Sequence, residues 1–232
     1  MQDLLINLLA SVIAGAAVWL TQRLLHRRRL SRERAFFGLT MGGTCLLSVA
    51  RHFSSPQKAS VHRRDVAALV ELATLARECG ARADLANDGA LAQGFGRTTE
   101  FCVGGPSGNP RTATHLRTIL RGVSFAGGAD TIRVGGAEYR FDPGVAEYVV
   151  LARAWGPARD RPVFVLAGQT APTNLAAARY LDAQHRTLSR RYGSDRPFCL
   201  VLRVVEPRVY GVDFVELAAD VTEEAFHPAP AG

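Results

Sequence analysis

The stretch from Leu4 to Leu20 is almost entirely apolar, broken only by Asn7, Ser11 and small residues, and arginines follow it directly. Extended through Leu24 and Leu25 it reaches about 20 residues, enough to cross the ~30 Å hydrocarbon core of a bilayer as one helix. Arg23, the run Arg27-Arg28-Arg29, Arg32 and Arg34 lie on its C-terminal side, and only Asp3 precedes it. By the positive-inside rule the arginine side stays in the cytoplasm, so the N-terminus is translocated and the rest of the chain faces the cytoplasm. A cleaved signal peptide would carry its charges before the apolar run and a small-residue cleavage site after it, the reverse of this order. An amphipathic surface helix would confine its apolar residues to one stripe, whereas here they surround the helix. Residues 1–34 are thus expected to be a transmembrane anchor with a basic flank, and the membrane is expected to be a partner through residues 4–25. Ser11 and Gly15 form a small-xxx-small pair through which two such helices could approach, so homo-oligomerisation is an option.

That anchor changes how the charge is read. The net charge is +7, but residues 1–34 hold six Arg against Asp3 and Glu33, which is +4 and leaves +3 for the other 198 residues. A nearly balanced domain gives no support to nucleic acid as a partner. Of the 28 basic residues Lys58 is the only lysine, leaving 27 arginines. With abundant Ala and Gly, this bias suggests a GC-rich bacterial genome and hence the bacterial inner membrane. Cys45, Cys79, Cys102 and Cys199 form no C-x-x-C pair and stand at no metal-ligand spacing from a histidine, so structural, reduced cysteines are expected.

Beyond the anchor, Phe36–Leu47 is apolar and glycine-rich and reads as a flexible lead-in or loop. A strand is expected at Cys45–Ala50, a helix from about Val61 to Glu78 stopped by Gly80, and a short strand at Arg82–Ala86. Thr98–Val103 reads as a buried strand that enters Gly104-Gly105-Pro106-Ser107-Gly108-Asn109-Pro110 and then a helix over Thr112–Leu120. A second unit echoes it: Val163–Ala167, then Gly168-Gln169-Thr170-Ala171-Pro172-Thr173-Asn174, then a helix from Leu175 to Arg190. Between them, Val123–Phe125, Asp130–Val134, Glu138–Phe141 and Tyr148–Ala152 are short strand candidates. Phe198–Val205 and Val209–Leu217 follow as a possible hairpin, and residues 226–232 form a flexible tail. The expected fold is α/β, a Rossmann-like mixed sheet with flanking helices over residues 35–225, preceded by one transmembrane helix.

A strand that ends in a glycine-rich turn and opens a helix aims backbone N–H groups and the positive end of the helix dipole above the sheet, where anions bind. In open α/β sheets ligands collect at the carboxyl ends of strands. Two such turns would line one crevice, with Gly104, Gly105, Ser107, Asn109, Arg111 and Thr112 from the first. Gly168, Gln169, Thr170, Thr173 and Asn174 would come from the second, for a small anionic ligand. The same residues also suit plain helix caps. Gly104-Gly105-Pro106 with Asn109 and Thr112, and Ala167-Gly168 with Thr170 and Ala176-Ala177, give residues 40–220 a pattern that resembles the bacterial Rossmann-like (SLOG-like) nucleotide sensors found behind transmembrane helices. The resemblance implies a cytoplasmic nucleotide-sensing domain in a signalling or conflict system. The chain lacks the P-G-G-x-G-T-x-x-E signature of the nucleotide-hydrolysing members, so their phosphoribohydrolase chemistry is not implied.

Neither turn is a Walker A or a G-x-G-x-x-G sequence. His52, His62, His115 and His185 show no metal spacing, and Ser107 and Ser124 lack a G-x-S-x-G elbow. Glu100, Glu138, Glu147 and Asp142 are carboxylates near strand ends, and Cys102 reads as buried. No cofactor, metal or enzyme class follows from these. The expectation is a membrane-anchored sensor or effector that binds a nucleotide-like or other anionic ligand. The alternatives are an enzyme acting on a nucleotide or glycosyl substrate, with Glu100 as the crevice carboxylate, and a structural or protein-interaction module.

Overall fold

Phe36 and Phe37 decide where the first helix ends. In the computed structural model, which describes residues 2–52, 55, 57, 60–86, 96–156 and 160–227 (side chains from residue 15 onward), α1 runs unbroken over Gln2–Phe37, 36 residues. Its last turn is not a flexible lead-in. Phe36 and Phe37 are 0% and 1% exposed, and they pack into Phe101, Phe164 and Phe198 with ring centroids 5.6–6.4 Å apart. Gly38 then stops the helix at φ +63°, where a Cβ would lie 2.3 Å from Pro162 Cδ, so glycine is required. The boundary expected at residues 34/35 therefore falls inside a helix whose end belongs to the core. Among the described residues no helix is long and apolar enough to cross a membrane. Half of the apolar stretch read as an anchor, residues 4–14 of 4–25, has side chains outside the described set.

The remaining elements are β1 (Thr44–Val49), α2 (Arg63–Glu78), β2 (Arg82–Leu85), β3 (Thr99–Val103) and α3 (Pro110–Thr118), then β4 (Val123–Ala126), β5 (Thr131–Val134), β6 (Ala137–Arg140), β7 (Ala146–Trp155) and β8 (Pro162–Gly168). α4 (Ala171–Tyr192), β9 (Phe198–Val205), α5 (Pro207–Tyr210), β10 (Val215–Asp220) and α6 (Thr222–Phe226) complete the chain. Seven strands make one mixed sheet in the order β10-β9-β7-β8-β3-β1-β2, and β4-β5-β6 form a separate antiparallel sheet. The run β2-β1-β3-β8 is parallel, while β7 opposes both β8 and β9, and β10 opposes β9. The expected α/β architecture, a mixed sheet with flanking helices, is present.

The two-residue strand period sorts the core. Leu47, Phe101, Phe164, Leu166 and Leu200 face the layer of α1's end, α2 and α4. Cys102, Val163, Val165, Cys199 and Val201 face α3, the small sheet and α6. The crossovers β1-α2-β2 and β8-α4-β9 lie on the same face but step in opposite directions along the sheet, so they have opposite hands. The right-handed rule holds for only one of them. Near the C-terminus, Val209–Leu217 is not one strand: Glu206 takes a left-handed conformation (φ +48°) and opens α5, and pairing to β9 begins only at Val215. Ala225 in α6 is fully buried, so the ordered domain extends to α6, and residues 228–232 of the expected tail lie outside the described residues.

Candidate functional site

The two glycine turns meet at the carboxyl edge of the parallel strands. Strand succession reverses between β1 and β3, and a Cβ on Gly105 would sit 3.4 Å from the Gly168 carbonyl, so the turns touch. Gly104 has φ +102° and a Cβ there would lie 2.3 Å from Ala50 Cβ, which packs the first turn tightly onto the end of β1. Bonds from Ala50 N to Val103 O (2.9 Å) and from Arg51 N to Gly108 O (3.0 Å) zip β1 to β3 at the same place.

The predicted residues are brought together, but most of their polar atoms are engaged within the chain. Asn109 is fully buried. Its Oδ1 accepts from Arg111 N (3.0 Å), Thr112 N (3.3 Å) and Ser48 Oγ (3.1 Å), and its Nδ2 donates to Val103 O. Asn174 Oδ1 accepts from Gly168 N at 2.8 Å, and Thr170 and Thr173 form a reciprocal capping box on α4. Gln169 accepts from Tyr148 N and donates to the carbonyls of Asp130 and Tyr139, binding the small sheet to the large one. The N–H groups of Arg111, Thr112, Gly168 and Thr173, which could have cradled a phosphate, therefore already serve side-chain acceptors. Ser107 stands exposed on the rim, and the buried Thr112 hydroxyl lacks a hydrogen-bond partner among the described residues.

Arg111 is not at the crevice. Its guanidinium reaches back along α3 to Glu100 near the start of β3, with Nη2 2.9 Å from Oε1 and Nε 3.2 Å from Oε2. His115 Nε2 lies 3.3 Å from Oε2 of the same carboxylate. All three are buried. Burial alone would raise the Glu100 carboxyl, but hydrogen bonds and charge from His115 and Arg111 outweigh it and hold it below its ordinary range. Glu100 and His115 also stand within 4.8 Å of Cys102. A metal there would have to displace a guanidinium from both carboxylate oxygens, and burial pushes the Cys102 thiol up, so the cluster fits an internal ion pair and not a metal site. All four cysteines are buried and unbridged.

Two carboxylates do hang from the first turn of α4. Asp65, in the first turn of α2 and 4% exposed, accepts from Asn174 Nδ2 at 2.8 Å. Glu147, at the start of β7 and 8% exposed, accepts from the Thr170 hydroxyl at 2.6 Å. Each carboxylate offers about four lone-pair positions, more than one donor fills. Beside Asp65 the rings of His52 and His62 stack in parallel, 5.3 Å between centroids. Burial raises the Asp65 carboxyl, opposed by the hydrogen bond from Asn174 and the charges of His62 and His52. Sequence reasoning missed Asp65, because an acid in the first turn of a helix is an ordinary complement to the helix dipole.

The raised Asp65 carries a testable consequence. A carboxyl whose folded value is raised gives stability below its unfolded value and loses it as pH climbs through the folded one. Asp65→Asn keeps an acceptor for Asn174 and removes the charge. Its unfolding midpoint at pH 7.5 is expected to lie above that of the wild type, with the gap closing below pH 3.8, the ordinary carboxyl value. Thermal scans across pH check this, and a variant less stable at pH 7.5 contradicts a strained charge at this position. No family model, curated protein or solved structure matches the chain.

Proposed function

We propose that the chain is a membrane-tethered sensor whose cytoplasmic α/β domain binds a nucleotide-like ligand at the carboxyl edge of β1, β3 and β8, a role in keeping with its resemblance to SLOG-like sensor domains. The observation that carries the reading is the pairing of Asp65 with Asn174 and of Glu147 with Thr170, two buried carboxylates held at the switch point of the sheet. With the helix N–H groups capped internally, the acceptors Asp65 and Glu147 suit ribose hydroxyls and ring amino groups. Arg63 and Arg64, exposed on the first turn of α2 at the same edge, suit phosphates. The tether is the apolar run 4–25 with its arginine flank, which places the domain on the cytoplasmic side of a bacterial inner membrane.

The test is thermal unfolding of the full chain in nanodiscs against nucleoside mono-, di- and triphosphates, NAD and cyclic dinucleotides. One class should raise the midpoint by about 5–10 °C at a hundredfold excess over Kd, and Glu147→Gln should weaken that response at least about tenfold. If none of them shifts the midpoint, the domain is better read as a protein-interaction module. The upward push on Asp65 beside two histidines also favours a second reading, an enzyme acting on a nucleotide or glycosyl substrate with Asp65 as its acid–base group. Turnover of NAD or a nucleoside monophosphate that disappears in Asp65→Asn would select it.

A further inference from the structure

Where α1 leaves the domain it lies against the C-terminal half of α4, and the contact is built on one carboxylate. Glu33, 13% exposed at its side chain, meets Arg29 at 2.9 Å, His185 at 3.2 Å and Arg186 at 3.4 Å. Burial would raise this carboxyl, but Arg29 and His185 outweigh it and hold it below its ordinary range. Around the contact a cavity of about 240 Å³ opens to the surface, floored by Phe36 and walled by Arg29, Arg32, Arg186 and Arg190, with Ser189 between them. Four arginines and one glutamate line it, an excess of three positive charges before His185 is counted.

The positive-inside rule explains Arg29 and Arg32, which flank the apolar run. It does not explain why α4, about 150 residues later, brings Arg186 and Arg190 to the same cavity. Arginines from two elements lining one concave site can supply the paired guanidinium donors that recognise a phosphate bidentately. The depth brings one rim of the cavity to the headgroups. With a rise of 1.5 Å per residue, Arg29 stands about 6 Å beyond Leu25, within a headgroup layer of roughly 5–7 Å on each side of the hydrocarbon, and Arg32 stands about 10 Å beyond it, just past that layer. Because α1 is unbroken between Leu25 and Phe36, the cavity has a fixed height on that helix.

The geometry points to the α1–α4 junction as a binding site for a phosphate-ester oxyanion, separate from the sheet edge and with its Arg29 rim at the level of anionic phospholipid headgroups. The site itself rests on the arginine cavity, and only the lipid as its source rests on the tether reading. Bound phosphate would neutralise the lining arginines and lock α1 onto α4, so lipid composition would set how firmly the helix is joined to the domain.

The experiment follows thermal unfolding of the full chain in neutral detergent. One arm titrates phosphatidylglycerol against phosphatidylcholine, and a second titrates inorganic pyrophosphate. Arg186→Gln/Arg190→Gln is compared with Arg117→Gln/Arg121→Gln, which removes the same charge from exposed positions on and after α3. The wild type and the α3 variant should be stabilised saturably, and the junction variant should need at least about tenfold more ligand. Stabilisation by phosphatidylglycerol alone assigns the site to a headgroup. Stabilisation by pyrophosphate as well assigns it to soluble phosphates too. Equal responses in the wild type and the junction variant, or no response in either arm, overturn the proposal. Alkaline carbonate extraction of membranes tests the tether separately. If the protein is released while pyrophosphate still acts through the arginines, the tether fails and the site stands.

Discussion

Arg153→Met is expected to destabilise the domain by about 3–5 kcal/mol, because four backbone carbonyls lose a cation that water reaches poorly. Arg153 is the largest fully buried side chain in the described protein. Its Nη1 donates to Phe36 O at 3.1 Å, and its Nη2 to Gly193 O at 2.9 Å and Arg196 O at 2.6 Å, with Tyr192 O at 3.5 Å. The guanidinium lies 4.4 Å from the ring centre of Phe36, 5.1 Å from Trp155 and 5.3 Å from Phe198. Burial brings its pKa down to about 10, so it stays charged at neutral pH. One side chain on β7 thus closes the C-terminal ends of both α1 and α4, and Thr99 and Arg161 add bonds to Gly38 O at 2.8 and 2.9 Å. Urea unfolding should show the loss, with a thermal midpoint roughly 6–20 °C lower at 2–4 °C per kcal/mol. Arg153→Lys should fall between, because an ammonium has three donors and no planar fork. A cost for Arg153→Met below about 1 kcal/mol would place the junction's stability in the phenylalanines alone.

The second large effect is expected at Glu100. Glu100→Gln removes the countercharge of the buried Arg111 guanidinium and should cost about 3–5 kcal/mol. Glu100→Leu/Arg111→Leu removes both charges and should recover most of that loss, since apolar residues often replace a buried pair without penalty. A double variant as unstable as the single would show that His115 needs the carboxylate more than Arg111 does. The pH dependence follows from the depressed Glu100 carboxyl. Its contribution is complete above the ordinary value of 4.5 and is lost as pH falls through the lower folded value, so the wild type should weaken below about pH 4.5 while Glu100→Gln weakens less.

The parallel unit β1-α2-β2-β3 and the two turns could be read from the sequence because local signals coincide there: apolar runs, a glycine stop, and Asn109 as a cap. The end of α1 could not. Gly38, Gly42 and Gly43 after Phe36-Phe37 suggest a loop, and only the Phe101, Phe164 and Phe198 rings, far along the chain, make that turn a core element. Arg111 follows a glycine turn and so looks like a ligand's counter-charge, yet its partner is a strand residue on the inner face of α3. The crevice was visible as two echoing turns, and Glu147 as a carboxylate near a strand end, although nothing local joined it to the turns. Asp65 was hidden, because it looked like helix decoration. The antiparallel place of β7 between β8 and β9 is set by long-range pairing, which strand periodicity does not encode.

Hydrogen–deuterium exchange of the full chain in nanodiscs, with and without the nucleotide that stabilises it most, tests the proposed ligand site directly. Binding at the sheet edge predicts slower exchange confined to residues 62–66, 104–109, 145–148 and 168–174, absent in Glu147→Gln. Protection at residues 29–36 and 185–190 instead, or none anywhere, would contradict a nucleotide site between the two turns.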